Sequence, residues 1–169
     1  MNRGPVILAV LGLVVVLAAT NYTIWQRQQV VDMGQAVLLD LRPVDPRSLI
    51  QGDYMVLRYA QTVFPPRGQR QQLESRGTFV VKLDGNNVAV FSRFDDGSAL
   101  GQREVRLKYK QINLSGEIRL GAESFFFQEG QAEVYNAARY GVLHVDEEGN
   151  SVLVGLADDN WQMMGPPEQ

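Results

Sequence analysis

Thr78-Phe79-Val80-Val81-Lys82-Leu83, then Asp84-Gly85-Asn86-Asn87, then Val88-Ala89-Val90-Phe91-Ser92-Arg93-Phe94 is the stretch that decides the fold. Two runs rich in β-branched and aromatic residues flank a short polar turn. Gly and Asn tolerate the positive φ that fits a turn to the twist of paired strands, so the stretch reads as a hairpin. The same signature recurs at 35–41, 54–60, 105–109, 117–120, 124–127, 141–145 and 151–157, with further turns at Asp95-Asp96-Gly97 and Glu148-Gly149-Asn150. The expected class is mainly β: an antiparallel sandwich or partly open barrel with one small helix. That helix is placed at 131–139, with Gly130 before it, Glu133 in its first turn, Arg139 in its last and Gly141 as its stop. Pro65 to Gln72 reads as a polar, proline-led, flexible excursion.

The N-terminal segment has a different character. From Gly4 to Gln26 there are 23 residues without a charge, and at about 1.5 Å per residue a helix of that length covers roughly 34 Å, enough to span a bilayer. Its apolar part is followed by Tyr22 and Trp25, placed as an interfacial belt would place them, with Arg3 and Arg27 outside. A cleaved signal is the competing reading, but small-x-small sites near Ala18 to Thr20 are poor. The expected organisation is therefore a membrane anchor at 1–27 that meets the lipid bilayer through Val6 to Trp25. A juxtamembrane connector at 28–34, or a continuation of the helix, follows, and then a β-rich domain at 35–169. Arg3 and the α-amino group favour an inside N-terminus, which makes the chain single-pass in the cytoplasmic (inner) membrane with its domain extracytoplasmic.

Composition narrows the function classes. A chain of 169 residues with a formal charge of −3 and scattered Lys and Arg has no basic field suited to phosphate backbones, so nucleic acid is not an expected partner. With no cysteine there is no disulfide framework, thiolate nucleophile or cysteine-held zinc. No cofactor is expected.

One segment carries the identity. Asp45 suits an N-cap, Pro46 the first helical position and Gly52 the left-handed end of a single helical turn. The turn leads into a strand in which Tyr54 and Val56 face one way and Met55, Leu57 and Tyr59 the other. Apolar residues on both faces predict a central or covered strand. Gly52, Asp53, Tyr54, Leu57 and Tyr59 together make the pattern G-D-Y-x-x-L-x-Y, which resembles the bacterial family named GDYXXLXY. The similarity extends through Asp45-Pro46 and Leu49 to Glu129-Gly130, Arg139, Val145-Asp146, Gly149 and Gly155-Leu156. That resemblance implies a membrane anchor and a multi-span membrane protein as a companion, and it implies no reaction. For the five motif residues two roles stay open: Gly52 and Asp53 set a turn while Tyr54, Leu57 and Tyr59 fill a core, or Asp53 and the tyrosine hydroxyls form a recognition edge.

A catalytic set is not assembled by the sequence. The Gly-Asp followed by an apolar strand also looks like the region after the nucleophile of signal peptidases and self-cleaving repressors. Aligning Leu49, Gly52 and Asp53 puts Val44 at the nucleophile, and valine cannot attack a carbonyl. Ser48 falls four positions late for a partnership with Lys82, Lys108 or Lys110. His144, the single histidine, lies within an apolar strand and reads as structural. Asp95-Asp96, Asp146-Glu147-Glu148 and Asp158-Asp159 lack calcium-loop spacing and read as turn residues. Phe125-Phe126-Phe127 alternates across a strand and reads as core. The expected function is that of a non-catalytic accessory or binding domain; the alternatives are an envelope hydrolase or a small-ligand sensor with a signal-peptidase-like β fold lacking the nucleophile.

Overall fold

The computed structural model describes residues 4–42, 54–112 and 117–165. Helix α1 (Gly4–Met33) is followed by strands β1 (Gln35–Asp40), β2 (Tyr54–Val56), β3 (Arg76–Leu83), β4 (Ala89–Phe94), β5 (Glu104–Ile112), β6 (Glu117–Arg119) and β7 (Ser124–Phe126). The single-turn helix α2 (Ala132–Tyr135) precedes β8 (Tyr140–Val145), β9 (Ser151–Ala157) and β10 (Met163–Met164). Two 3-10 turns, Gln61–Val63 and Arg67–Gln72, lie between β2 and β3.

The strands form curled antiparallel half-barrels in the orders β1-β8-β9-β10 and β4-β3-β5-β6, with a two-stranded ribbon of β2 and β7. Alternation builds the core. On β5, Val105, Leu107 and Tyr109 are buried while Lys108 and Lys110, on either side of Tyr109, are exposed. Val37 and Leu39 of β1, Phe79 of β3, Leu143 of β8 and Leu156 of β9 are fully enclosed in the same cluster. The mainly β class expected from the sequence is therefore the class found.

Helix α1 is long and apolar enough to cross a membrane, with mean hydropathy 2.2 over its apolar window and none of that window buried against the body. It continues through residues 28–33, so the segment before β1 is helical. Only its last turns touch the sheet: Val30 is buried, and His144 Nδ1 of β8 lies 2.5 Å from the Val31 carbonyl oxygen. The structural role expected of His144 thus has a specific form, the pinning of α1 to β8. Gly34 makes the turn, because a Cβ there would collide with the Val30 carbonyl oxygen and come within 2.9 Å of the Val145 nitrogen.

Several elements differ from the sequence expectation. The strand read at 54–60 is divided between two neighbours. Leu57 N–H donates to the Glu123 carbonyl at 2.7 Å and extends the β2–β7 pairing by one residue; the chain then turns to the end of β1, where Ala60 N–H donates to the Asp40 carbonyl at 2.7 Å. Nor is β2 a central strand: Met55, Leu57 and Tyr59 face the core, whereas Val56 on the other face is 40% exposed. The helix read at 131–139 is reduced to α2 because Arg139 joins the sheet: its N–H donates to Ala157 and its carbonyl accepts from Leu41. Gly141 therefore lies inside β8, against the Tyr59 ring, and stops no helix. Nor is the Pro65 to Gln72 segment an excursion. Pro65 is fully buried, Arg70 Nε donates to its carbonyl at 2.7 Å, and Gln111 Nε2 donates to the Arg70 carbonyl at 3.4 Å. The helical turn read at Asp45 to Gly52 lies outside the described residues.

Candidate binding site

The described motif residues divide into two environments. Leu57 and Tyr59 are each 4% exposed and belong to the core. The Tyr59 hydroxyl donates to the Ala122 carbonyl, and burial first, then the charge of Glu123, drives its phenol far above the ordinary tyrosine range, so it acts as a neutral donor. Tyr54 is half-buried on the ribbon, its ring 5.7 Å from that of Phe126. Gly52 and Asp53 lie outside the described residues, so Asp53 is not placed.

The aromatic triplet divides in the same way. Phe125 and Phe127 pack on Tyr135, with ring centroids 4.9 and 5.6 Å away, as core packing requires. Phe126 is 73% exposed beside Tyr54.

The motif strand walls a cavity of about 500 Å³. Its floor is apolar, built by Leu41, Met55, Leu57, Tyr135 and Ala138; its rim is charged, with Arg42, Arg58 and Arg139 near Asp158 and Asp159. Sequence reasoning missed the three arginines, which stand at separate places in the chain and come together only because the end of β1, the residues after β2 and the start of β8 meet here. Their backbones are joined: Arg42 N–H donates to the Arg58 carbonyl at 2.7 Å, and Leu41 N–H donates to the Arg139 carbonyl at 2.9 Å. β1 runs from the end of α1 to this rim, so at about 3.3 Å per residue the cavity stands roughly 20 Å beyond the helix junction.

Next to the rim the arginine side chains gather further. Arg42 Nη2 and Arg67 Nε both donate to Gln61 Oε1, each at 3.3 Å. The Arg70 guanidinium lies 5.5 Å from the centroid of the Phe64 ring, and its Nη2 is buried without a hydrogen-bond partner among the described residues. Burial, then the charges of Arg67 and Arg42, lower the pKa of Arg70. The arginines of the opposite sheet are arranged differently. Arg93 pairs with Asp96 at 2.9 Å and Glu104 at 3.1 Å, and Arg106 with Asp95 at 3.0 Å.

The acidic groups singled out in the sequence hold loops together. Ser98, through its hydroxyl and N–H, together with Arg93, keeps Asp96 low, at about 2. Asp84 Oδ1 accepts the N–H groups of Asn86 and Val88, Asp146 Oδ1 that of Asn150, and Asp158 Oδ1 those of Asn160 and Gln162, at 2.7–2.9 Å. Lys108 Nζ donates to Asn150 Oδ1 at 3.0 Å, and exposed Lys82 lies on the outer side of β3. Ser48 and Val44 lie outside the described residues.

These three aspartates open one repeated hairpin design, a type I turn closed by a residue in the left-handed region. That residue is Asn87 (φ 63°) and Gly149 (φ 83°) in two of them, which suits their chemistry, but Trp161 (φ 60°) in the third, beside the acidic rim of the cavity. A bulky side chain is disfavoured there. We expect Trp161→Gly to be more stable than Trp161→Ala by about 1 kcal/mol, since both lose the indole and only glycine relaxes the backbone. Denaturation midpoints that coincide for the two variants would show the turn to be unstrained.

The family model described as GDYXXLXY protein matches residues 16–156. No curated protein and no solved structure matches the chain. The matched region runs from the middle of α1 nearly to the end of β9 and takes in the motif strand and most of the cavity lining, though not Asp158 and Asp159, so the chain belongs to the GDYXXLXY family.

Proposed function

We propose that the chain is a membrane-anchored, non-catalytic binding domain that works beside an integral membrane partner. In this reading α1 crosses the cytoplasmic membrane once, the β body stands in the extracytoplasmic space, and the cavity next to the motif strand is the surface that binds. The observation that carries it is the cavity itself. An apolar floor with a few charged groups around the rim is the composition of a recognition site, and about 500 Å³ is ample for a side-chain cluster or a small ligand. Exposed, apolar α1 supplies a reason for membrane residence, and the hydrogen bond from the sheet to its last turn holds the body at a fixed attitude to it.

Affinity purification of the full chain from membranes in mild detergent should recover a stoichiometric membrane protein. Replacing Arg42 and Arg58 together with alanine should release it, while Lys82→Ala on the opposite sheet should not. Recovery of the chain by itself, or retention of the partner by the Arg42/Arg58 variant, would count against this reading. Full-length chain found soluble without detergent would remove the anchor from it.

A further inference from the structure

We infer that the arginine cluster at the cavity's edge, formed by Arg42, Arg67 and Arg70, is a binding site for a soluble, multiply charged oxyanion of the phosphate class. The inference deepens the binding reading above by naming the ligand chemistry of one side of that site.

Three observations converge. First, none of these three arginines has an ion pair among the described residues; Arg27, Arg58, Arg76 and Arg103 share that lack, but Arg42 and Arg67 converge on one residue and still have no carboxylate between them. A chain with 19 acidic residues has not spent one of the described ones on the place where its cations crowd. Second, two guanidinium groups share a single neutral acceptor. Arg42 Nη2 and Arg67 Nε both point at Gln61 Oε1, an amide oxygen that offsets neither charge. Third, the cluster contains donors that the protein leaves unsatisfied: Arg70 Nη2 and Gln61 Nε2 are buried without hydrogen-bond partners among the described residues. Buried donors of this kind are costly unless something accepts from them.

The donors are also held in place. Arg70 is fixed by its Nε bond to the Pro65 carbonyl and by the Phe64 ring beneath it. The 3-10 turns that carry Gln61 and Arg67 bracket the buried Pro65. Positioned guanidinium forks match the oxygens of phosphate, and several of them around one point favour a compact group with at least two negative charges. Asp158 and Asp159 also line the cavity and Asp40 pairs with Arg139 at 3.3 Å, so the cavity carries acidic groups at its mouth besides the arginines. The site lies at the end of β1 away from α1, which favours an anion from solution over a headgroup of the leaflet that α1 would enter.

The test is a calorimetric titration of inorganic pyrophosphate into the full chain in phosphatidylcholine nanodiscs. Citrate serves as a comparator of similar charge, and phosphatidic acid discs serve as the lipid arm. Saturable pyrophosphate binding that weakens about tenfold in Arg67→Gln and again in Arg42→Gln supports the inference, a factor that corresponds to one charge-assisted contact. Both residues are exposed, so the variants keep the fold. In pyrophosphate-free buffer Arg67→Gln should have an unchanged or higher Tm, because it relieves repulsion. The inference is overturned by absence of saturable binding at about 10 mM ligand, by equal affinity in the double variant, by citrate binding as well as pyrophosphate, or by association with phosphatidic acid discs alone. Because no partner is needed, failure here leaves the co-purification result standing, and failure there leaves this one.

Discussion

Phe79→Ala is expected to lower folding stability by about 3–5 kcal/mol, the usual cost of emptying an aromatic core position. Phe79 is fully buried on β3, with ring centroids of Phe64, Phe91 and Tyr109 at 6.4, 5.9 and 5.8 Å. A domain of this size has about 5–15 kcal/mol in total, so the loss takes a large share of it. The effect should reach the site as well. Phe79 supports Phe64, and Phe64 supports Arg70, so a void beneath the first ring loosens the guanidinium two contacts away. Phe79→Leu, which keeps most of the volume, should retain the larger part of both stability and anion affinity. Denaturant unfolding of the detergent-solubilised chain, with the midpoint falling at constant slope, is the measurement; a midpoint within experimental scatter of wild type would mean that the core does not centre on this ring.

The parts of this structure that were legible in the sequence are those fixed by neighbours in the chain. Asp84 to Asn87 reads as a hairpin because one aspartate gathers the turn's N–H groups and one asparagine accepts positive φ, both within five residues. Strand β5 is legible for the same reason, since alternation is local. Helix α1 is legible from composition alone. What failed depended on partners far away in sequence. Residues 136–139 have a helical pattern, but the carbonyl of Ala157 and the N–H of Leu41 draw Arg139 into the sheet, and tertiary hydrogen bonds prevail over a weak helical preference. The two-residue strand β10 has too few residues to show any period. Arg42 and Arg67 look unrelated in the sequence; only the return of the chain after β2 to the end of β1, together with the 3-10 turns, assembles them around Gln61.

The motif itself can be divided by experiment into what builds the fold and what meets the surroundings. Leu57→Ala is expected to cost about 2–5 kcal/mol, because Leu57 is 4% exposed and lies where β2 leaves the ribbon for β1, so the chain on both sides is held and the void cannot easily close. Tyr59→Phe should cost less, about 1–3 kcal/mol: the ring stays, but the Ala122 carbonyl loses its donor in a buried setting. Tyr54, half-buried and with its ring tilted against exposed Phe126, belongs to a different class, and its removal should register far less in stability than either. Thermal or denaturant unfolding of the three variants checks the order. If Leu57→Ala were tolerated as well as Tyr54→Ala, the leucine would not be the core residue its burial makes it. The predicted order carries a functional consequence: the two most enclosed described positions of the motif are buried in the core, and of the two Leu57 lines the cavity. Any direct recognition by the described motif strand therefore falls to Tyr54 and to the residues between its fixed positions, Val56 and Arg58, whose side chains face outward where Leu57 and Tyr59 face in.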